Sequence, residues 1–311
     1  MSFMSDSGKQ ELFGVLNINK APGCTSRDVV NTVQRLIRPE KCGHAGTLDP
    51  MATGVLLVCV GPATRLTTRV QESSKTYVAE FTLGMTSDTD DSTGTILTSA
   101  DPAARPSAST IDAVLQQMTG TVLQTPPAYS AVHVNGQRAY KLARSGETVD
   151  LTARPVQIHA MRLMSCDWPR LEVEIDCGSG TYVRSIARDL GQTLGCGGLM
   201  SRLERTRIGS FDVRSAIPIE DVTKDRLPGQ LCPAIELVRH LIQYDCCETD
   251  LIELRHGRII HPRLDGFSSY PSGTHEQLVA LIHAPSQQLL ALAEWTSKRT
   301  LQPRTVFKRD V

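Results

Sequence analysis

The sequence carries no charge excess: 33 basic and 33 acidic residues cancel to a formal net charge of +0 at pH 7. A protein that coats nucleic acid usually has a basic surplus, so the balance argues against that role while leaving room for a local basic groove. Aromatic residues are scarce, at 5% of the chain, and each one is therefore worth inspecting singly. No apolar run approaches the ~18 residues that a membrane-crossing helix needs, and Met1 to Gln10 lacks the apolar centre of a signal peptide. The nine cysteines are odd in number and irregular in spacing, without the paired C-x-x-C pattern of a zinc site. They read as reduced thiols in a cytoplasmic protein. There is no P-loop and no dinucleotide fingerprint. The expectation is a chain that uses no cofactor and no metal.

What is present is an ordinary globular composition, 40% apolar and 21% charged over 311 residues. That length suggests a large and a small domain, with a boundary near residue 245. Basic residues gather in three places: Arg202, Arg205 and Arg207; Arg138, Lys141 and Arg144; and Lys298, Arg299, Arg304, Lys308 and Arg309. Each cluster is either a solvated face or a grip for a polyanion.

Periodicity predicts a strand over Phe13 to Ile18, then a helix capped by Thr25 or Ser26 whose Val29, Val30, Val33, Leu36 and Ile37 share one face. Gly43 to Gly54 reads as a loop, because its glycines and proline break both regular structures. It feeds Val55 to Val60, a nearly continuous apolar run typical of a buried strand. Tyr77 to Leu83 alternates as a strand. A helix with Ile111, Val114, Leu115 and Met118 is expected to end at Gly120. Strands follow at Val156 to Leu163 and Leu171 to Cys177, then a helix from Val183 to Leu194. From Leu251 onwards short strands are expected, with a hairpin around Ala284-Pro285-Ser286.

Chemistry concentrates in the glycine-rich loop. Pro50 pushes Asp49 into extended backbone and so pre-orients its carboxylate. The plain alternative is an Asx-turn that caps the loop. Tyr182 and Arg184 follow a Gly-x-Gly turn at a helix start, over the end of a sheet. Arginine is the natural planar partner of a buried carboxylate and would hold an aspartate ionised, lowering its pKa; the alternative is a structural ion pair of Arg184 with any nearby acid, for instance Asp189. Tyr77 offers a ring for stacking and a polar tip, or simple core packing. His44, just ahead of the loop, is either functional or a structural hydrogen-bonder.

The stretch Gly43-His-Ala-Gly-Thr-Leu-Asp49-Pro-Met-Ala-Thr-Gly-Val-Leu56 closely resembles the nucleophile motif of the bacterial tRNA pseudouridine-55 synthase (TruB-like) family. The likeness extends in order through Val15 to Gly23, Lys75-Thr-Tyr77, Pro126 to Tyr140, Gly180 to Gly191 and Leu203 to Gly209. It implies that Asp49 is the catalytic nucleophile, that Tyr77 packs on the target base and takes part in proton transfer, and that Arg184 pairs with the nucleophile. It implies further that Tyr182 and Leu203 line the uridine pocket and that His44 enters the RNA stack vacated by the flipped base. Asp88 and Asp91 match two acids of the family pattern, Asp91 being the second partner of Arg184, while Asp90 is an extra acid here. The implied fold is α+β: a pseudouridine-synthase catalytic domain (1–245) with a central mixed, mainly antiparallel sheet and an RNA-gripping insertion at about 125–152. A small PUA-like β-barrel (246–311) would follow. The implied substrate is the T-loop uridine at position 55, gripped through the T-arm and elbow of tRNA by a monomer needing no protein partner, with tRNA-folding chaperone activity as an added role. The competing readings are a guide-dependent synthase, an RNA chaperone without chemistry, and a structural RNA-binding module.

Overall fold

The computed structural model describes residues 12–98, 105–130, 132–134, 136–145, 150–271 and 277–307. Strand β1 (Gly14–Lys20) turns into helix α1 (Ser26–Ile37). Thr25 caps that helix: its hydroxyl accepts from the Asp28 N–H at 3.1 Å, and the Asp28 carboxylate accepts from the Thr25 N–H at 2.9 Å, a reciprocal capping box. Strand β2 (Cys42–His44) then pairs antiparallel with β3 (Thr53–Val60), His44 opposite Val58. The segment expected to be loop from Gly43 to Gly54 is thus loop only over 45–52. Its flanks are extended because the chain doubles back onto the strand it feeds.

Helix α2 (Thr67–Glu72) leads to β4 (Lys75–Leu83), and β5 (Met85–Ser87) with β6 (Ile96–Thr98) forms a separate hairpin bearing the acidic turn. Helix α3 (Ala108–Gln117) ends with Met118 as its C-cap, and Gly120, at φ +90°, opens β7 (Gly120–Gln124) instead of closing the helix. The expected insertion contains the two-residue strands β8 (His133–Val134) and β9 (Gln137–Arg138) and helix α4 (Ala139–Arg144). The side chains of Arg138 and Arg144 lie outside what is described, as do Lys308 and Arg309; Lys141 is exposed. Then come β10 (Arg154–Asp167), β11 (Arg170–Cys177), helix α5 (Val183–Thr193) and β12 (Gly198–Ile208). Short pieces follow: β13 (Phe211–Asp212), β14 (Ile217–Pro218), helix α6 (Leu227–Gln230) and β15 (Cys232–Pro233).

The main sheet runs β14-β1-β3-β12-β4-β11-β10-β7, with β2, β13 and β15 on its margins. It is mixed: β3 with β12 and β1 with β14 are parallel, and the other pairs are antiparallel. The β3 apolar run has a direct explanation. Leu56, Val58 and Val60 face a core shared with α1, α3 and α5, while Val55, Leu57 and Cys59 face a second core on the other side. A strand buried on both faces has no reason to alternate.

That second core is closed by the C-terminal region, whose Ala280, Ile282, Leu289, Leu292 and Phe307 pack into it. This region holds β16 (Ile242–Cys246), helix α7 (Glu248–Arg255), β17 (Gln277–His283), β18 (Gln288–Trp295) and β19 (Leu301–Val306), its strands forming a four-stranded sheet in chain order. β16 runs across the expected boundary at 245. The β17–β18 hairpin lies where expected. Strand structure directly from Leu251 does not: that stretch is α7. Asp250 accepts from the Cys247 N–H at 2.9 Å and from the Tyr244 hydroxyl at 2.9 Å. Leu251 and Leu254 are buried. A cysteine N-cap and only two buried leucines give this helix almost no sequence signature.

Candidate active site

The loop after β2 is held from several sides, which is how a segment without periodicity acquires one conformation. Ser26, at the start of α1, donates its hydroxyl to the Leu48 carbonyl at 3.1 Å and accepts from the Leu48 N–H at 2.9 Å. Lys20, fully buried at the end of β1, donates to the carbonyls of Ala21, Cys24 and Pro50 at 2.9, 2.8 and 3.2 Å. The Gly23 N–H also reaches the Pro50 carbonyl, at 2.9 Å. Gly54 takes φ +96°, and a Cβ there would sit 2.2 Å from the Arg205 carbonyl, so only glycine fits where the loop rejoins the sheet.

Asp49 projects from this loop towards Arg184 on the first turn of α5. The Arg184 Nε lies 3.1 Å from Asp49 Oδ2 and Nη2 lies 3.4 Å from Oδ1, a forked contact. The other side of the same guanidinium meets Asp91 Oδ2 at 3.3 Å. It also donates to the carbonyls of Thr89 and Tyr129, at 3.2 and 3.1 Å. Asp91 is buried and fixed in turn by the Thr93 N–H at 2.9 Å and the Thr89 hydroxyl at 2.8 Å. Among the described residues no loop N–H bonds the Asp49 carboxylate, which leaves the Asx-turn reading without support. Asp189 is taken by Arg188 at 2.9 Å, and Asp90 by the same arginine at 2.8 Å. Asp88 accepts from the Thr95 N–H at 2.7 Å and shapes the hairpin turn.

Burial raises the Asp49 carboxyl above its ordinary range, with Asp91 adding to the effect, while Arg184, Lys20 and Arg205 oppose it. Arg184 does act to lower this pKa, as its pairing with the carboxylate leads one to expect, but the net shift is upward. Desolvation of a carboxylate at the base of a cleft outweighs one cation that Asp49 shares with a second acid. Tyr77 is also shifted upward by burial, with the Arg205 guanidinium beside it opposing the shift. Its hydroxyl therefore stays protonated at neutral pH. His44 ends β2, half-buried, with a buried Nδ1 that has no partner among the described residues; burial and the nearby Arg205 and Arg27 lower its pKa and keep it neutral.

Asp49, Tyr77, Tyr182, Arg184 and Leu203 line one cleft of about 570 Å³, together with Tyr129, Ser130 and Lys75. His44 and Asp91 do not line it: His44 stands just before the loop, and Asp91 lies behind Arg184. Tyr182 caps α5, exchanging backbone hydrogen bonds with the Gln124 side chain at 2.8 and 3.1 Å, and its ring lies under Arg154. Sequence reasoning missed Ser26, Lys20, Arg205 and Ser130. Ser130 is buried against the cleft with a hydroxyl that has no partner among the described residues. Arg205, expected in a basic surface cluster, is instead buried beneath the cleft. A second cavity, about 520 Å³, lies across α2 between Val70, Phe211 and Leu237. Its rim arginines are already paired, Arg69 with Glu72 and Arg239 with Glu236, and it holds no nucleophile.

Comparison with known proteins agrees with this geometry. The model for the TruB family pseudouridylate synthase N-terminal domain matches residues 34–183, and that for the tRNA pseudouridylate synthase B C-terminal domain matches 184–243. The class so defined is that of pseudouridylate synthases. Within it the chain belongs to the TruB family. The tRNA pseudouridine synthase B of Leifsonia xyli is 43% identical over 93% of this chain and 95% of its own, and that of Thermobifida fusca is 40% identical over 94% and 98%. Among solved structures, a chain in the crystal structure of a Cbf5-Nop10-Gar1 complex superposes with a TM-score of 0.74 at 26% identity, covering 96% of this chain and 86% of that one.

Proposed function

We propose that the protein converts a uridine of tRNA to pseudouridine, at position 55 in the T-loop, with Asp49 as the nucleophile. The observation that carries this reading is the forked Arg184–Asp49 contact at the base of a nucleoside-sized cleft lined by Tyr77, Tyr182 and Leu203. The reaction breaks the C1′–N1 bond, joins C1′ to C5 of the same uracil, releases the C5 hydrogen as a proton and returns a proton to N1. It is internally balanced and consumes no cofactor.

The target base must leave its stack, at a cost of a few kcal/mol. Stacking on Tyr77 offsets about 1–3 kcal/mol of it, and His44, neutral and two residues ahead of the loop residues that line the cleft, fills the space left behind. Asp49 acts at the ribose while Arg184 holds its carboxylate ionised and aimed. The freed uracil is retained by Leu203 and the ring of Tyr77 while it turns, and the protonated Tyr77 hydroxyl serves the proton transfers. The insertion at 125–152 reaches over the same cleft: its Tyr129 carbonyl accepts from Arg184, and the Thr125 carbonyl accepts from Ser185 and Arg188 at 3.0 and 2.9 Å. Lys141, exposed on α4, suits a phosphate contact. The C-terminal region is read as a PUA-like RNA-binding unit with its seam ahead of Ile242, and the whole works as a monomer in the cytoplasm.

The test is release of tritium from a tRNA transcript labelled at uridine C5. Release is expected from the purified chain alone, and is expected to vanish with Asp49→Asn and with cytidine at the T-loop position, while tRNA binding persists. Tight binding without release would instead support the guide-dependent reading.

A further inference from the structure

Arg205 stands where three parts of the site meet. In β12 its backbone lies opposite Gly54 of β3 on one side and Tyr77 of β4 on the other. Its side chain turns back under the nucleophile loop. Nε donates to the Val55 carbonyl at 2.8 Å, Nη1 to Thr47 at 3.5 Å and Nη2 to Gly46 at 3.2 Å. These carbonyls flank Asp49 in sequence on both sides. The guanidinium also lies beside the Tyr77 hydroxyl. Arg205 is 2% exposed, yet among the described residues no carboxylate lies within ion-pair distance of it. Burying a charge with only carbonyl dipoles for company costs several kcal/mol. A hydrophobic residue would fill the space at less cost, so the charge is not explained by stability.

We propose, on the basis of the function given above, that Arg205 is a positioning residue for the isomerisation: it pins both ends of the nucleophile loop to the strand beside Tyr77. Arginine suits this role because one planar group with donors on three nitrogens satisfies three carbonyls at once. The charged and titratable groups facing Asp49 are Arg184, Asp91, Lys20 and Arg205; those facing Tyr77 are Arg205, Cys177 and Asp49. Removing Arg205 leaves Asp49 with Arg184 and Lys20, each of which acts on its carboxyl more strongly than Arg205 does.

The experiment compares Arg205→Gln and Arg205→Lys with wild type in three readouts: single-turnover tritium release, tRNA affinity, and the pH dependence of the single-turnover rate. A loop displaced by about an ångström is expected to slow the chemical step roughly 100-fold, with tRNA affinity within about threefold of wild type. In Arg205→Gln the acid limb of the rate profile is expected to stay close to its wild-type position, because Arg184 and Lys20 act on Asp49 more strongly than Arg205 does. In Arg205→Lys, which keeps the charge but not the donor geometry, the limb stays at its wild-type position while the rate remains low. Should the glutamine variant fail to fold, the lysine variant decides: a rate within threefold of wild type overturns the proposal. So does a glutamine variant whose loss is matched by lost affinity. Wild type inactive in the same assay would remove the underlying functional reading instead, a distinct result.

Discussion

Replacing Arg184 with lysine tests the centre of the site most directly. The arginine meets Asp49 through two nitrogens and Asp91 through a third, and satisfies two carbonyls besides. A lysine ammonium is a single point of charge on a flexible stem and cannot span both carboxylates. Taking one partner from a buried ion pair costs about 3–5 kcal/mol. The Asp49 side chain keeps 33% exposure, so solvent screens part of its share and about 2–3 kcal/mol is the fitting range. If that energy aims Asp49 in the transition state, the chemical step slows roughly 30- to 150-fold, at 1.36 kcal/mol per tenfold. The assay is tritium release from C5-labelled tRNA under single-turnover conditions with enzyme saturating, and affinity is measured separately by filter binding. Asp91→Asn removes the far end of the same bridge, and because the residues share one guanidinium the double variant is expected to lose less than the sum of the two single losses. A lysine variant within threefold of wild type, or one whose whole deficit lies in tRNA affinity, would refute the reasoning.

The remaining expectations concern ionisation and the buried lysine. Asp49 must be ionised to act, and its carboxyl is raised by burial. Activity is therefore lost as pH falls through a value above the ordinary aspartate pKa of about 3.9, and an acid limb at or below that value would contradict the burial seen here. Lys20→Met leaves the carbonyls of Ala21, Cys24 and Pro50 without their buried donor. Denaturant unfolding is expected to register a loss of about 2–6 kcal/mol, from the Ala21 and Cys24 carbonyls at about 1–3 kcal/mol each, the Pro50 carbonyl keeping the Gly23 N–H, together with slower tritium release. Unchanged stability would mean that water reaches those carbonyls.

The elements that sequence revealed are those whose burial is one-sided or complete. The α1 face, the β3 apolar run and the β4 alternation all follow from which side meets the core. The α7 helix was hidden because its cap is a cysteine and its buried face is two leucines. The extended flanks of the Asp49 loop were hidden because pairing between β2 and β3 depends on the chain returning to its own strand. The candidate site was legible for another reason: Asp49, Tyr77 and Arg184, which line one cleft, sit inside contiguous motifs. Ser26 and Arg205 act through backbone carbonyls distant in sequence, and Lys20 ties one such carbonyl, that of Pro50, to two near its own position. A lone lysine or arginine carries no local mark of such a task, and by composition Arg205 looked like part of a surface patch. The sign of the Asp49 shift was illegible for a related reason, since it depends on the depth of the cleft and on Asp91 sharing Arg184.

Net neutrality and an RNA substrate are compatible because this chain sorts charge by depth as well as by face. The acids nearest the cleft are committed: Asp49 and Asp91 share Arg184, and Asp90 and Asp189 share Arg188. The cations beneath it are not committed to acids: Lys20, Lys75 and Arg205 spend their donors on backbone carbonyls. A field of this kind is invisible to a count of residues, because the compensating acids lie elsewhere on the surface. It is strongest at the floor of the cleft, where Lys20 and Arg205 are buried. Such an arrangement favours an anion forming within the cleft over one merely passing it. In the reaction proposed above, cleavage of C1′–N1 with the bonding pair passing to the uracil would create such an anion. The buried cations are therefore placed to lower the barrier of the step that the nucleophile begins.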